Sequence, residues 1–311
     1  MCKFCKTNPV ITLTNSKISL CSSCFIKYFE KKVFRTIRKF KLINKGDIIV
    51  VGVSGGKDSL TILNILNKLS ETKRDLKIKA VLIDEGIKGY RNITIKDAQK
   101  FCKEKKIPLY IYSFKKEFGY TLDEMVKKLK LNPCIICGIL RRYLLNKKSR
   151  LLGAKKLATG HHLDDETQSI LMNQFKNNLE LSARLGPITG VARFKNFIPR
   201  IKPLYLLTEK ETATYAFLKK FNNKYVECPY SQDCFRNDIR DFLNDFENKY
   251  PGSKHGLIFS FLSVLPLLKE KYKEEKVKYC KSCKEPCAKE ICNACEILKK
   301  LTFKEKDYSY E

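Results

Sequence analysis

The residues best suited to chemistry in this chain are its cysteines. Fourteen occur, and all but Cys102 fall into three groups. Cys2-x2-Cys5 and Cys21-x2-Cys24 are separated by fifteen residues, and Cys280-x2-Cys283 and Cys292-x2-Cys295 by eight. Two such turns can set four thiolates tetrahedrally around one Zn2+, closing the coordination shell and stapling a segment too short to own a core. An iron–sulfur centre or a redox dithiol is the alternative use of either group. Cys287 is a surplus thiol inside the second loop, where it could swap for a ligand. The middle group is looser: Cys134 and Cys137 in Asn132-Pro133-Cys134-Ile135-Ile136-Cys137-Gly138, then Cys228 in Glu227-Cys228-Pro229-Tyr230, then Cys234. A lone C-x2-C serves as redox dithiol, half a zinc site or iron–sulfur ligands, and spacing does not choose among them.

Two further segments carry polar chemistry. Val53-Ser54-Gly55-Gly56-Lys57-Asp58-Ser59 leaves an apolar run and enters a helical pattern. Glycines let backbone N–H groups approach an anion at a helix start, with Lys57 and the serine hydroxyls as added donors. The G-x4-G-K-[ST] spacing of a Walker loop is absent, which argues against ordinary cleavage between the β- and γ-phosphates. A tight strand-to-helix turn is the bland alternative. Gly160-His161-His162-Leu163-Asp164-Asp165-Glu166-Thr167 repeats the arrangement, although paired acids at a helix start also simply complement its dipole.

The elements that must position these residues follow from periodicity. Residues 47–53, 78–84, 108–114 and 155–160 read as short buried strands, each followed by a helical segment, which predicts a parallel sheet with helices on both faces. The glycine loop and the paired acids would then share the crevice at the strands' carboxyl ends. Helices are also expected over 24–43, 208–221 (a Thr cap with Glu three residues on), 236–250 and 256–270, and a basic helix over 139–152 after the Cys134–Cys137 motif. The division expected is residues 1–30, an N-terminal zinc-binding module; 31–270, a catalytic domain; and 271–311, a C-terminal zinc-binding module.

Composition narrows the class. In 311 residues there are 62 Lys and Arg against 33 Asp and Glu, a formal charge of +29, with 43% hydrophobic residues. Such a chain can build a core and is not globally disordered. The excess points to a polyanionic partner, nucleic acid or an acidic membrane surface, unless it reflects a compositional bias. There is no apolar run of eighteen residues and no signal-peptide pattern, so the chain reads as cytosolic, where fourteen cysteines suit metal or redox sites better than disulfides.

Ser54-Gly55-Gly56-Lys57-Asp58-Ser59 resembles the pyrophosphate-binding (PP) loop of the ATP pyrophosphatase superfamily, and Gly160-His161-x2-Asp164-Asp165 resembles a signature of its tRNA-thiolating branch. Together with Pro133-Cys134 to Gly138 and Glu227 to Tyr230, with IDEGIKGYR at 83–91, IPRIKPLY at 198–205 and both terminal cysteine groups, the chain resembles the 2-thiouridine synthetases of the TtuA and TtcA type, on the archaeal and eukaryotic cytosolic side. The resemblance implies an α/β fold of the adenine-nucleotide alpha-hydrolase type and a tRNA sulfurtransferase that adenylates the C2 oxygen of a uridine, with the wobble uridine favoured and the T-loop uridine the alternative. It implies ATP on Val53, Ser54, Gly55, Gly56, Lys57, Asp58, Ser59, Asp84, Arg141, Gly160, His161 and Asp165. Lys57, Asp58, Arg141 and Asp165 would be catalytic, with Mg2+ near the two acids. Cys134, Cys137 and Cys228 would hold a [4Fe-4S] cluster, and the terminal groups two Zn2+. Cys234, a rival third ligand, has no role in the family.

Free sulfide or a thiocarboxylated ubiquitin-like carrier protein is the implied sulfur donor, and a homodimer the implied assembly. tRNA contacts are expected from Lys27, Lys31, Lys32, Arg35, Arg38 and Lys39, from helix 141–150, and from Arg193, Lys195, Arg200 and Lys202; Arg141 and Arg142 could equally be solvated helix charges. Competing classes are a non-thiolating PP-loop enzyme, which would not need three central cysteines, and a zinc-knuckle RNA-binding protein, for which the glycine loop would be unexplained.

Overall fold

The computed structural model describes residues 1–190, 196–221, 227–231, 235–273 and 278–306, and side chains through Thr302. Arg193, Lys195 and Cys234 lie outside these. Among the described residues the chain begins with a hairpin, β1 (Ile11–Thr12) and β2 (Ser19–Leu20), and the long helix α1 (Ser22–Lys39). Then come β3 (Ile48–Gly52), α2 (Lys57–Thr72), β4 (Lys77–Asp84), α3 (Arg91–Glu104), β5 (Leu109–Ser113), α4 (Phe114–Phe118), α5 (Leu122–Leu129), α6 (Pro133–Leu151), β6 (Lys156–Ala158), α7 (Leu163–Phe175), α8 (Leu179–Ala183), β7 (Arg200–Ile201) and α9 (Glu209–Leu218). The chain continues through α10 (Phe235–Lys249), α11 (Ser253–Lys271), the hairpin β8 (Lys278–Tyr279) and β9 (Pro286–Cys287), and α12 (Asn293–Lys306).

The main sheet has the order β5-β4-β3-β6-β7, with every pairing parallel. All four expected strands are in it. The fifth, β7, has only two residues and too short a pattern to be read from sequence. Chain order reverses between β3 and β6, so the loops leaving these two neighbours splay apart and open a crevice at their carboxyl ends.

Alternate side chains of the central strands feed opposite faces, as the period of two requires. Ile49, Val51, Ile78, Ala80 and Leu82 pack in one core with Phe25, Phe29 and Val33 of α1 and with residues of α2, α3 and α9. Val50, Val81 and Ile83 pack in the other with α5, α6 and α12. A smaller cluster joins Leu163 and Ile170 of α7 to Ile258, Phe261 and Leu265 of α11. Cys2 and Cys21 belong to the first core, Cys280 and Cys292 to the second. Each terminal module is therefore built into one face of the sheet, and α1 runs unbroken through residue 30.

Cross-ties between distant segments are ionic as well as apolar. Glu30 accepts from Lys68 Nζ at 2.6 Å and from the Tyr215 hydroxyl at 2.9 Å. Glu211 accepts from Lys32 Nζ at 2.9 Å and from the Tyr28 hydroxyl at 3.0 Å. Lys202 is buried and paired with Glu166 at 2.7 Å. Three of the expected phosphate-contacting cations are corrected: Lys202 is committed to an interior carboxylate, half-buried Lys32 to Glu211, and Arg150 of the basic helix to buried Glu285. No described helix is long and apolar enough to cross a membrane.

Removing one member of a buried pair strands the other charge. Lys202→Ala is therefore expected to destabilise the fold by about 3–5 kcal/mol in urea unfolding, while the salt dependence of RNA binding keeps its slope. A reduced slope would put Lys202 on the binding face after all.

Candidate active site

The cleft at the β3–β6 switch encloses about 340 Å³, and its lining includes Val53, Ser54, Asp58, Ser59, Arg91, Arg141, Arg142, Asn146, Thr159, Gly160, His161, Asp165, Phe197 and Arg200. Eight of the twelve residues expected around ATP are among the lining: Val53, Ser54, Asp58, Ser59, Arg141, Gly160, His161 and Asp165. Gly55, Gly56 and Lys57 form the loop behind them. Asp84 does not line the cleft; its carboxylate accepts from the Gly86 N–H at 2.9 Å and shapes the turn after β4.

The glycine loop is held by its own hydroxyls. Ser54 N–H donates to Ser59 Oγ at 3.1 Å, Ser59 Oγ donates to the Gly56 carbonyl at 2.9 Å, and Gly56 N–H donates to Ser54 Oγ at 3.3 Å. Gly55 has φ +85°, and a Cβ there would stand 2.1 Å from the Thr94 carbonyl oxygen. A Cβ on Gly160 would stand 2.8 Å from the Asp58 carbonyl carbon, so the β6 loop rests directly on the β3 loop. Lys57 Nζ lies 3.1 Å from Asp58 and 3.2 Å from Glu209 at the start of α9.

The two aspartates of the second loop separate. Asp164 is buried, bonded to Lys254 Nζ at 2.5 Å and to Glu209 N–H at 2.6 Å, and so fixes α7, α9 and α11 together. Asp165 faces the cleft. Burial works against its charge, but His162, His161 and the His162 N–H hold its carboxyl below the usual range. Asp58 is pushed up by burial, only partly offset by His162 and Lys57. His161 is exposed to the cleft, with its Nδ1 2.8 Å from Thr159 Oγ1; desolvation by the groups crowded around it drives it down to about 4, so at neutral pH it is uncharged.

The sequence reading left several cleft groups without a role. Arg91 is buried, reaches the Ser54 carbonyl at 2.9 Å and pairs with Glu85 at 2.7 Å, while Glu85 lies 3.6 Å from Arg141. Its signal was present in the 83–91 segment but carried no role. Glu209 gave none beyond being a helix-start acid. Arg200 lines the cleft, and burial beside Arg142 lowers it to about 10.

The helix bearing the middle cysteines starts earlier than expected. Asn132 caps it, its side-chain oxygen accepting from Cys134 N–H at 2.9 Å, with Pro133 as first residue, so Cys134 lies in the first turn of α6 and Cys137 opens the second. Cys134 Sγ lies 3.4 Å from the Tyr230 carbonyl, which brings the Cys228–Tyr230 segment against that turn. Tyr230 is anchored by donating to Asp123 at 2.8 Å. Burial pushes the Cys137 thiol up to about 11, and the Arg141 guanidinium opposes the shift. Burial also raises Cys228.

In contrast, each terminal group draws its four sulfurs within 4.8 Å of one another, as a single tetrahedral ion requires: Cys2, Cys5, Cys21, Cys24 and Cys280, Cys283, Cys292, Cys295. Cys287 stays outside the second set, its thiol turned to the Lys289 carbonyl at 2.9 Å. Among the described residues, no other group of metal-ligating side chains closes to that spacing.

A backbone-lined anion loop beside paired acids, at the switch point of a parallel sheet, defines a nucleotide-binding α/β protein of the PP-loop class. The PP-loop domain model matches residues 29–246. A tRNA-5-methyluridine(54) 2-sulfurtransferase of Pyrococcus horikoshii is 37% identical over 306 residues, covering 97% of this chain and 96% of the relative. The tRNA 2-thiolation protein NcsA of Haloferax volcanii is 32% identical over 316 residues, covering 96% and 98%. The U34-tRNA thiolase NcsA of Methanococcus maripaludis, solved with its [4Fe-4S] cluster, superposes with TM-score 0.82 at 32% identity, covering 96% of both chains. The chain belongs to the PP-loop family of tRNA 2-thiolation enzymes.

Two outcomes are expected at the cleft. Gly55→Ala should keep its far-UV circular dichroism yet bind ATP about 100-fold more weakly by calorimetry, because the loop must shift by an ångström or more. His161 binds a proton less readily folded than unfolded, so the unfolded state takes up the proton first as pH falls. Stability should therefore decline between pH 6.5 and about 4, and His161→Asn should flatten that part of the profile.

Proposed function

We propose that this chain is the ATP-dependent enzyme that adenylates the C2 oxygen of a tRNA uridine, the wobble uridine in the favoured reading, and replaces that oxygen with sulfur. The observation that carries the reading is α6, which places Cys134 and Cys137 in its first two turns and Arg141, one turn after Cys137, in the wall of the glycine-loop cleft. In this reading the N–H groups and hydroxyls of Ser54 to Ser59 hold the ATP phosphates, with the adenosine near Val53 and Gly160. Lys57 and Arg141 offset charge on the phosphates and the activated base. Asp58 and Asp165 position Mg2+; the lowered carboxyl of Asp165 suits a cation ligand.

The middle cysteines fit a [4Fe-4S] cluster. They gather at the start of one helix without closing to the spacing of a single ion, and Arg141 is the cation beside them. Cys134, Cys137 and Cys228 would hold the cluster, and it would supply Lewis-acid activation of the sulfur nucleophile. The C2 oxygen attacks the α-phosphate, pyrophosphate leaves, hydrosulfide attacks C2, and AMP departs. Sulfide arrives free or from a thiocarboxylated ubiquitin-like carrier. The terminal groups hold structural Zn2+, and the enzyme works in the cytoplasm as a homodimer.

Exposed Lys27, Lys31, Arg35, Arg38 and Lys39 on α1, with Arg142 and Arg200 at the cleft, supply the tRNA contacts, and the target base is extruded to reach the site. The T-loop uridine is the second reading, favoured by the Pyrococcus relative, a sulfurtransferase of 5-methyluridine 54.

Anaerobically purified protein is expected to be brown, to lose its visible absorbance on replacing Cys134, Cys137 or Cys228 with Ala, and to form 2-thiouridine on tRNA with ATP and sulfide. Position-mapped nucleoside mass spectrometry decides between the two uridines. A colourless protein with two zinc ions, or no 2-thiouridine with the cluster intact, would sink the mechanism.

A further inference from the structure

Glu285 belongs to the C-terminal cysteine module, two residues after its ligand Cys283, yet both carboxylate oxygens point away from the sulfurs. It is buried and pairs in a fork with the Arg150 guanidinium, Oε2 accepting from Nη1 at 2.9 Å and Oε1 from Nη2. Oε2 also accepts from Asn146 Nδ2 at 3.1 Å. Asn146 and Arg150 stand one turn apart on α6, and neither serves Glu285 alone. Asn146 Nδ2 and Arg150 Nη1 both donate to the Asn196 carbonyl, at 3.0 and 2.9 Å, while Asn146 Oδ1 accepts from Ile198 N–H at 2.9 Å. The segment gripped in this way, residues 196–200, leads straight into β7 and contributes Phe197 and Arg200 to the cleft wall. Asn146 itself lines the cleft.

We propose that Glu285 is a positioning residue through which the C-terminal four-thiolate module sets the 196–200 wall of the ATP cleft, a role that rests on the reading of that cleft as the ATP site. The physical case is one of donor accounting. The Asn146 amide has two polar ends and the Arg150 fork a fixed plane. With Glu285 in place, the orientation that satisfies the carboxylate is also the one that holds the Asn196 carbonyl and the Ile198 N–H. Without it, Arg150 and Asn146 lose the buried anion that fixes their rotamers, and the 196–198 backbone loses its template.

The Glu285 backbone belongs to the module as well, its carbonyl accepting from Cys280 N–H at 2.9 Å. Folding of the knuckle around its ion therefore places the carboxylate. The arrangement is that of an outer-shell group pointing outward: the metal orders the loop, and the loop orders a wall of the substrate site.

The test compares full-length wild type with Glu285→Gln, which keeps the shape and removes the charge, and with Arg150→Ala and the double variant. ATP affinity is measured by calorimetry, zinc by elemental analysis and cluster content by visible absorbance. The expected result is an ATP Kd and KM raised about tenfold in each single variant with kcat at saturating ATP, zinc and absorbance retained. The double variant should be no worse than the poorer single one, since both act through one latch. A merely structural role would lower the melting temperature and leave Kd and KM where they were, which would overturn the proposal. So would additive losses, or a loss of ATP affinity seen only in preparations that have also lost zinc. Wild type that fails to bind ATP overturns the reading of the cleft and this proposal with it, whereas wild-type binding matched by every variant overturns this proposal alone.

Discussion

Gly160 lies on the carbonyl of Asp58 with no room for a methyl group between them. That contact is where the two neighbouring strands at the sheet's reversal, β3 and β6, deliver their loops to a single place. A side chain at 160 would push the His161–Asp165 segment away from the Ser54–Ser59 segment, and the cleft would become two half-sites. Much of the surrounding machinery keeps this contact in register. Ser59 ties the first loop to itself, Arg91 fixes the Ser54 carbonyl from behind, and Asp164 is spent on clamping α7 to α9 and α11 rather than on the substrate. The neighbouring Asp165 is thereby left facing the cleft with its charge intact.

The electrostatics of the molecule divide by depth. At +29 the chain carries far more cations than it can pair. Yet Lys202, Lys254 and Arg91 are buried, each on a carboxylate, because an unpaired charge in the interior costs several kcal/mol. The exposed cations include a run along α1, Lys27, Lys31, Arg35, Arg38 and Lys39, and at the mouth of the cleft Arg141 is half exposed while its partner Glu85 is sealed from solvent. Glu85 keeps both Arg91 and Arg141 aimed at the site.

Short-range chemistry was legible in the sequence. The four strands showed as buried apolar runs, the Thr208–Glu211 cap as a local pattern, and the terminal cysteine turns as ligand sets whose spacing alone gave their geometry. What escaped were features decided by partners far along the chain. Lys202 reads as a surface cation until Glu166, thirty-six residues away, is seen to bury with it. Arg150 reads as one of the phosphate-contacting cations of its helix until Glu285 arrives from the far end of the chain. β7 has two residues and no period to detect, and the part Asp84 plays in the turn after its strand, one carboxylate oxygen accepting from the Gly86 N–H, has no signal in the local sequence pattern. The start of α6 is legible in Asn132-Pro133, a helix-opening pair, although the apolar periodicity begins only after Cys137.

Both cysteine modules give residues to the apolar cores on either face of the sheet, Cys2 and Cys21 to one, Cys280 and Cys292 to the other. Their ligand sets are thus part of the interior rather than appendages, and binding of an ion to the folded form alone adds stability in proportion to the logarithm of its free concentration. With an ion held at these sites, as proposed, the amount of folded protein in a cell would track metal supply. A thiophilic competitor ion that distorts either site would act on protein abundance before it touched a single catalytic group, so this protein's exposure to metal toxicity is set by its architecture and not by its chemistry.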